Sequence, residues 1–320
     1  MNQNKSIITS KDVLILKKLL EDGRASSSSI SKEIDLGREI VNYRIKRLIK
    51  ENLIVKFIPK VNEKALYYQE YIIFLKLNLE DEISKDKFIK ENIGNKYLVW
   101  TVKSNKGWDL IVRLYAQNVD EFKNKLSEIL ETFSDVLTNY YTIISSEEIK
   151  ENEKSVIANK VFDEEYEKKK DYEVIKQGQL IQIDDKDKEI INLLETDARV
   201  QYKEIANKLD VSSDTVKYRI DRMKEQGILE GITPVLNFNK LGLFQYAAIL
   251  RFPYLDKSSS ESIKKILNKC DCVVRAIKSL NNDEYFLNLV FDFEIEAEEF
   301  EKDIRELGFN IDVFDVFKID

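Results

Sequence analysis

Apolar positions between residues 203 and 229 fall at helical spacing in two short runs. In the later run Val216, Ile220 and Met223 recur at i, i+4 and i+7, one narrow stripe. Ser212 precedes it as an N-cap, its hydroxyl placed to accept from a free first-turn N–H. Gly227 lies where the run stops, because glycine enters the left-handed conformation without steric cost. Ser213, Asp214, Lys217, Tyr218, Asp221 and Arg222 surround the stripe, all able to hydrogen-bond. The earlier run, residues 203–209, is also amphipathic, and Asp210 and Val211 alone separate the two. This is helix-turn-helix spacing, with the later segment in the recognition position.

The pattern is written twice. Asp12 and Asp187 begin matching segments at an offset of 175, which holds without a gap. Val41, Tyr43, Arg44, Ile45 and Arg47 answer Val216, Tyr218, Arg219, Ile220 and Arg222, and Pro59, Asn62, Leu66, Tyr71 and Leu75 answer Pro234, Asn237, Leu241, Tyr246 and Leu250. A register this long marks a tandem duplication.

In the first copy the pattern predicts helices at 12–20, 30–34 and 38–50. Residues 53–55 and 57–58 then read as a two-stranded wing closed by Pro59. A β-rich run at 71–77, a helix at 84–92, strands at 97–103 and 108–115, a helix carrying Phe122, Leu126, Ile129, Leu130 and Phe133, and a strand at 137–144 follow. The second copy repeats this with a strand at 244–252, a helix at 261–271, strands at 272–278 and 284–293, a helix at 297–307 and a strand at 311–317. The order β-α-β-β-α-β is that of a ferredoxin-like sandwich, so the fold class is α+β. The expected domains are winged helix-turn-helix units at 1–62 and 183–238, ferredoxin-like units at 63–146 and 239–320, and a charged linker at 147–182. The strand at 284–293 is apolar on both faces, which predicts that its open face packs on another sheet, from the sister domain or a second chain.

Composition narrows the function. Hydrophobic residues make up 43% and charged residues 34% of the 320, as in a soluble globular protein. No leader and no apolar run long enough for a bilayer is read, which predicts a cytoplasmic protein with no membrane partner. Cys270 and Cys272 are the two cysteines and there is no histidine. A disulfide framework and a metal site are therefore not expected, and Cys270 reads as a core residue. No phosphate-binding glycine loop or nucleophile motif is present, so no catalytic residue and no cofactor are assigned. The net charge is −7, but local charge differs between the copies. Residues 36–60 hold seven lysines and arginines against two glutamates, whereas 211–235 balance four against four. Cations cluster where phosphates would be met.

The run Ile183, Asp184, Asp187, Ile190, Leu194, Asp197, Arg199, Glu204, Ala206, Val211, Ser212, Val216, Arg219, Ile220, Met223, Gly227, Leu229 and Gly231 resembles the DNA-binding half of the Lrp/AsnC (feast/famine) transcription regulators. The turn from Ser104 through Gly107 and Asp109 resembles that family's effector-domain turn. The resemblance implies a winged helix-turn-helix joined to a ligand-sensing ferredoxin-like domain, with double-stranded DNA as partner and a small effector, an amino acid, held near Ser104, Gly107 and Asp109. It also implies pairing of such domains, here as an intramolecular pseudo-dimer, a homodimer or both. Three departures stand out. Two copies share one chain; Asn282, Asp283 and Glu284 replace the glycine-containing turn in the second copy; and Gly37 and Asn52 stand where the second copy has Ser212 and Gly227, predicting less typical helix boundaries in the first.

The reading is thus a sequence-specific DNA-binding transcription regulator and not an enzyme. For base contact it assigns Arg38, Glu39, Asn42 and Tyr43 in the first copy and Ser213, Asp214, Lys217 and Tyr218 in the second. Arg44, Lys46, Arg47, Arg219 and Arg222 read as phosphate clamps or as helix-face ion pairs, two roles the sequence leaves open. Unlike helices predict an asymmetric operator. An enzyme alternative comes from sirohaem decarboxylases of the same layout, in which histidines are expected at the tetrapyrrole site; this chain has none. A third class is a regulatory partner with vestigial helix-turn-helix units, favoured by the acidic second recognition region.

Overall fold

The computed structural model describes residues 8–78, 100–103, 107–151, 183–281 and 283–319. The first copy runs α1 (Ser10–Glu21), α2 (Ser27–Glu33), α3 (Arg38–Lys50), β1 (Ile54–Val61), β2 (Gln69–Leu77), β3 (Trp100–Lys103), β4 (Leu110–Ala116), α4 (Val119–Thr132) and β5 (Leu137–Glu151). The second runs α5 (Asp185–Thr196), α6 (Tyr202–Leu209), α7 (Ser213–Glu225), β6 (Leu229–Leu236), β7 (Phe244–Phe252), α8 (Lys257–Lys269), β8 (Val273–Ser279), β9 (Asp283–Phe291), α9 (Ile295–Glu306) and β10 (Val313–Lys318). The expected helix at 84–92, Ser104 and most of the linker lie outside the described residues. The chain divides into two units, Met1–Tyr67 with Ile157–Gly242 and Tyr68–Val156 with Leu243–Asp320. Each copy therefore gives its helical front to one unit and its sheet to the other.

In the helical unit, α1 and α5 start at reciprocal capping boxes, Thr9 with Asp12 and Asp184 with Asp187. Ile15, Leu16 and Leu19, and in the second copy Ile190 and Leu194, are buried at helical spacing against the stripes of α3 and α7. Those two helices are 13 residues each at matching positions, and the expected difference in boundaries is confined to the N-cap, where Ser212 accepts the Thr215 N–H and Gly37 offers no side chain. Asn52 enters the left-handed region at φ 57° much as Gly227 does at 67°. Asparagine is one of the few residues that tolerate it.

The wing differs from its expected form. Residues 54–61 make a single strand, and its partner is β6 of the other copy, with Phe57 opposite Pro234 and Pro59 opposite Ile232. A period of two specifies which residues share a face but not whose strand lies alongside. Two arginines at equivalent repeat positions brace this junction. Arg24 Nε donates to the Ala198 carbonyl at 2.8 Å, and Arg199 donates to the Ala25 carbonyl at 2.9 Å. The Gly23 N–H donates to the Ile232 carbonyl at 2.9 Å. That approach is so close that a Cβ at Gly23 would stand 2.6 Å from the same oxygen.

In the second unit the strand order is β10-β7-β9-β8-β5-β2-β4-β3. Each set of four has the order 4-1-3-2 of a ferredoxin-like sheet, and β5 joins β8 antiparallel to make the eight continuous. Tyr71, Ile73, Leu75, Val112 and Leu114 pack on α4, while the alternate residues Ile72, Phe74 and Ile111 cluster with Ala247, Ile249, Ile277 and Phe286 of the other copy. Phe74 and Phe286 meet edge to face at 5.7 Å. The apolar open face thus packs on the sister domain, as the two-sided strand predicted. The seam carries charge as well. Arg275 of β8 is bidentate to Glu70 of β2, at 2.9 and 2.7 Å, and reaches Glu148 of β5 at 3.1 Å.

Candidate nucleic-acid interface

Val41, Ile45 and Leu48 on α3, and Val216, Ile220 and Met223 on α7, are buried and fix which face of each helix points outward. Arg38, Glu39, Tyr43 and Lys46 are exposed, and Asn42 is half-buried beside them. On α7 the exposed residues are Ser213, Asp214, Lys217 and Tyr218. Tyr43 and Tyr218, equivalent in the repeat, are 67% and 66% exposed. Large aromatics left in solvent at one position of two unlike helices are not explained by packing. The outward charges differ: Arg38, Lys46 and Lys50 against Glu39 on α3, but Lys217 and Lys224 against Asp214, Asp221 and Glu225 on α7.

The four remaining arginines are elsewhere engaged. Arg44 and Arg47 donate to the two oxygens of Asp12 at 2.9 and 2.7 Å, and Arg44 also reaches the Thr9 hydroxyl at 2.9 Å. The Asp12 side chain is fully buried. In the second copy Arg219 reaches Asp187 at 2.9 Å and Asp184 at 2.7 Å, and Arg222 binds the buried Asp187. Of the two roles the sequence leaves open for Arg44, Arg47, Arg219 and Arg222, the structure displays the ion pair. They are ion pairs that tie the recognition helix to the first helix of its own copy, because a guanidinium held by a buried carboxylate is released for phosphate only at the cost of an unpaired buried charge. Burial by itself would raise the Asp12 carboxyl. The hydrogen bonds from Thr9 and Arg44, with the charge of Arg47, outweigh it and hold the group below its ordinary 3.8.

Sequence reasoning passed over Asp12, Asp187, Arg24 and Arg199 as structural partners. A usable signal was present: these residues and the four arginines keep their identity in both copies, whereas Lys46 becomes Asp221 and Lys50 becomes Glu225.

Of the expected effector turn, Gly107 and Asp109 lie within the described residues. Gly107 sits at φ 82° and its carbonyl accepts from Lys76 Nζ at 2.6 Å. Asp109 is 4% exposed, and its carboxylate accepts the Leu77 N–H at 2.8 Å with Lys76 at 3.5 Å. Asp109 therefore fastens β4 to the end of β2. Its counterpart at the repeat offset is Glu284, fully buried, which accepts from Arg251 at 2.7 Å and from the Tyr141 hydroxyl at 2.8 Å. Burial, reinforced by the Glu284 hydrogen bond and charge, pushes the Tyr141 hydroxyl up to about 12.

Two helix-turn-helix units in tandem, each leading into one half of a paired ferredoxin-like sheet, define a duplicated winged-helix protein. The family of winged helix-turn-helix DNA-binding domains matches residues 8–55 and 183–230. Regulatory protein AsnC of Haemophilus influenzae is 30% identical over 108 residues, 34% of this chain and 71% of that protein. An uncharacterized HTH-type transcriptional regulator of Pyrococcus furiosus is 37% identical over 86 residues, 27% of this chain, which spans 55% of that relative's length. The chain belongs to the Lrp/AsnC family of transcriptional regulators. Among solved structures, the siroheme decarboxylase NirDL aligns over 97% of this chain and 90% of its own, with a TM-score of 0.60 and 13% identity, a likeness of fold. Among the described residues no helix is long and apolar enough to cross a membrane.

Proposed function

We propose that the protein is a cytoplasmic, sequence-specific DNA-binding transcription regulator whose two recognition helices read unlike half-sites. The observation that carries this is the outward placement of Tyr43 and Tyr218 with their polar neighbours, on helices anchored from behind by buried stripes and buried aspartates. On α3, Arg38, Glu39, Asn42 and Tyr43 face base edges and Lys46 a phosphate. On α7, Ser213, Asp214, Lys217 and Tyr218 do the same work with less positive charge. The first copy accordingly supplies most of the salt-dependent grip. Retardation of genomic fragments in a gel, repeated across salt concentrations, tests it; absence of any shift at low salt removes the reading.

An amino acid effector acting through the ferredoxin-like unit is the finer part of the proposal. It rests on family membership and not on Asp109, and a thermal-shift screen of the twenty amino acids tests it. The decarboxylase reading is favoured by the whole-chain likeness to NirDL. Against it stands the lack of any histidine to serve as base or haem ligand. Titration with an iron tetrapyrrole, followed by its visible absorption, separates the two: a saturable spectral shift supports the enzyme.

A further inference from the structure

Cys270 and Cys272 flank one residue where α8 turns into β8. Cys270 is the C-cap of α8, with φ −72° and ψ 117°, and β8 begins at Val273. Their sulfurs stand 2.8 Å apart, and both residues are partly exposed. A third group is needed for metal binding, and among the described residues no cluster of three His, Cys, Asp or Glu side chains is present. The ammonium of Lys150, carried on β5 of the other copy and 7% exposed, lies 2.6 Å from the Cys270 carbonyl oxygen. Both cysteines pack against the edge of the hydrophobic core, as expected for Cys270, yet the two thiols touch each other and a cation is held at the Cys270 backbone, an arrangement that favours reaction between the sulfurs.

We propose that Cys270 and Cys272 form a hydroperoxide-reactive dithiol that closes into an intramolecular disulfide. The Cys270 thiolate attacks the peroxide oxygen, the O–O bond breaks, and the departing oxygen leaves as water or alcohol after taking up a proton. The resulting sulfenic acid is attacked by the Cys272 sulfur. The S–S bond forms as the S–O bond breaks, and water leaves. Two electrons pass from sulfur to peroxide, and a thiol reductant reverses the change. Cys270 is the attacking residue. Its thiol is lowered from 9.0 to about 6, first by the hydrogen bond from Cys272, then by the N–H groups of Cys272 and Val273 and the charge of Lys150, against an opposing effect of burial.

Closure would tie the end of α8 to the entry of β8. The Cys272 carbonyl there accepts the Val290 N–H at 2.9 Å, and the ladder to β9 shifts register between Val273 and Arg275. Oxidation therefore bears on the pairing of β8 with β9.

The test treats the reduced full-length chain with hydrogen peroxide and follows its intact mass. With two cysteines per chain the readout is direct: the expected result is a loss of about 2 Da, restored by dithiothreitol. Cys272→Ser is expected to trap a sulfenic acid on Cys270 that a dimedone probe labels. Cys270→Ser is expected to label at least about tenfold more slowly, since Cys272 is the weaker nucleophile. Two results on the unmutated chain overturn the proposal whatever the variants do: both thiols remaining free after exposure that oxidises glutathione completely, or disulfides forming exclusively between chains. Equal labelling rates of the two variants overturn the assignment of Cys270 as attacking residue.

Discussion

Replacing Asp12 by alanine tests the claim that the paired arginines are structural. The side chain is fully buried and accepts from Thr9, Arg44 and Arg47, so its removal deprives two guanidinium groups of their buried carboxylate, leaving Arg44 the Thr9 hydroxyl and Arg47 the Glu51 carboxylate, and opens the capping box of α1. Breaking a buried pair costs about 3–5 kcal/mol and losing an N-cap interaction about 1 kcal/mol. The arginines keep 19% and 25% side-chain exposure, so water relieves part of the stranded charge, and the lower end, about 3 kcal/mol, is expected. Hydrogen exchange read by mass spectrometry on peptides of α1 and α3 measures this locally. At 1.4 kcal/mol per tenfold, protection there falls about 100-fold. Peptides of α5 and α7 serve as the internal control, and Asp187→Ala should show the reverse distribution. The pH dependence follows from the lowered Asp12 carboxyl. Its stabilisation is fully present above the unfolded value of 3.8 and lost as pH falls through the folded one, so mutant and parent converge below about pH 3.8. A loss under about 0.5 kcal/mol, the level of a surface substitution, would refute the clamp. So would Arg44→Ala with Arg47→Ala lowering the salt slope of DNA binding by about two while stability is kept.

Other substitutions discriminate the remaining assignments. Lys46→Ala should weaken binding to all sequences and lower the salt slope by about one, whereas Asn42→Ala should relax preference at one base pair by about 1–3 kcal/mol, both read by binding titrations on a randomised operator. Gly23→Ala forces a Cβ against the Ile232 carbonyl and should cost about 1–3 kcal/mol in urea unfolding, although the equivalent residue in the other copy is already Ala198. Tyr141→Phe should remove one ionisation near pH 12 from the ultraviolet tyrosine titration. Because the folded value is raised, the contribution of that hydroxyl is complete below pH 10 and lost as pH climbs through 12.

Much of this architecture was legible because it is local. The span of α3, the stripe of α7 and the run 244–252 were read to the residue, since helix stops and apolar spacing lie within a few positions of one another. The ferredoxin-like order followed from the same alternation, and the repeat offset later matched strand to strand. The β1 partner was not legible. Phe57 and Ile58 carry the same pattern whether they face a neighbouring turn or a strand 175 residues away. The site divided along similar lines. Which residues of α3 point outward follows from its stripe, but the destination of the Arg44 and Arg47 guanidiniums depends on Asp12, a residue in another helix. The Asp109 contact was not legible either, as a carboxylate beside a glycine turn carries no sign that it meets the Leu77 amide.

The ribbon formed by β1 and β6 has an outcome for regulation in a crowded cell. Reading heads borne on separate polypeptides come apart on dilution and can trade mates with cousins of the same family. Here the two are born together and stay matched at any abundance, so their pairing is set by the gene and not by expression level. So tied, the two heads need not be identical, and the charges of α3 and α7 differ.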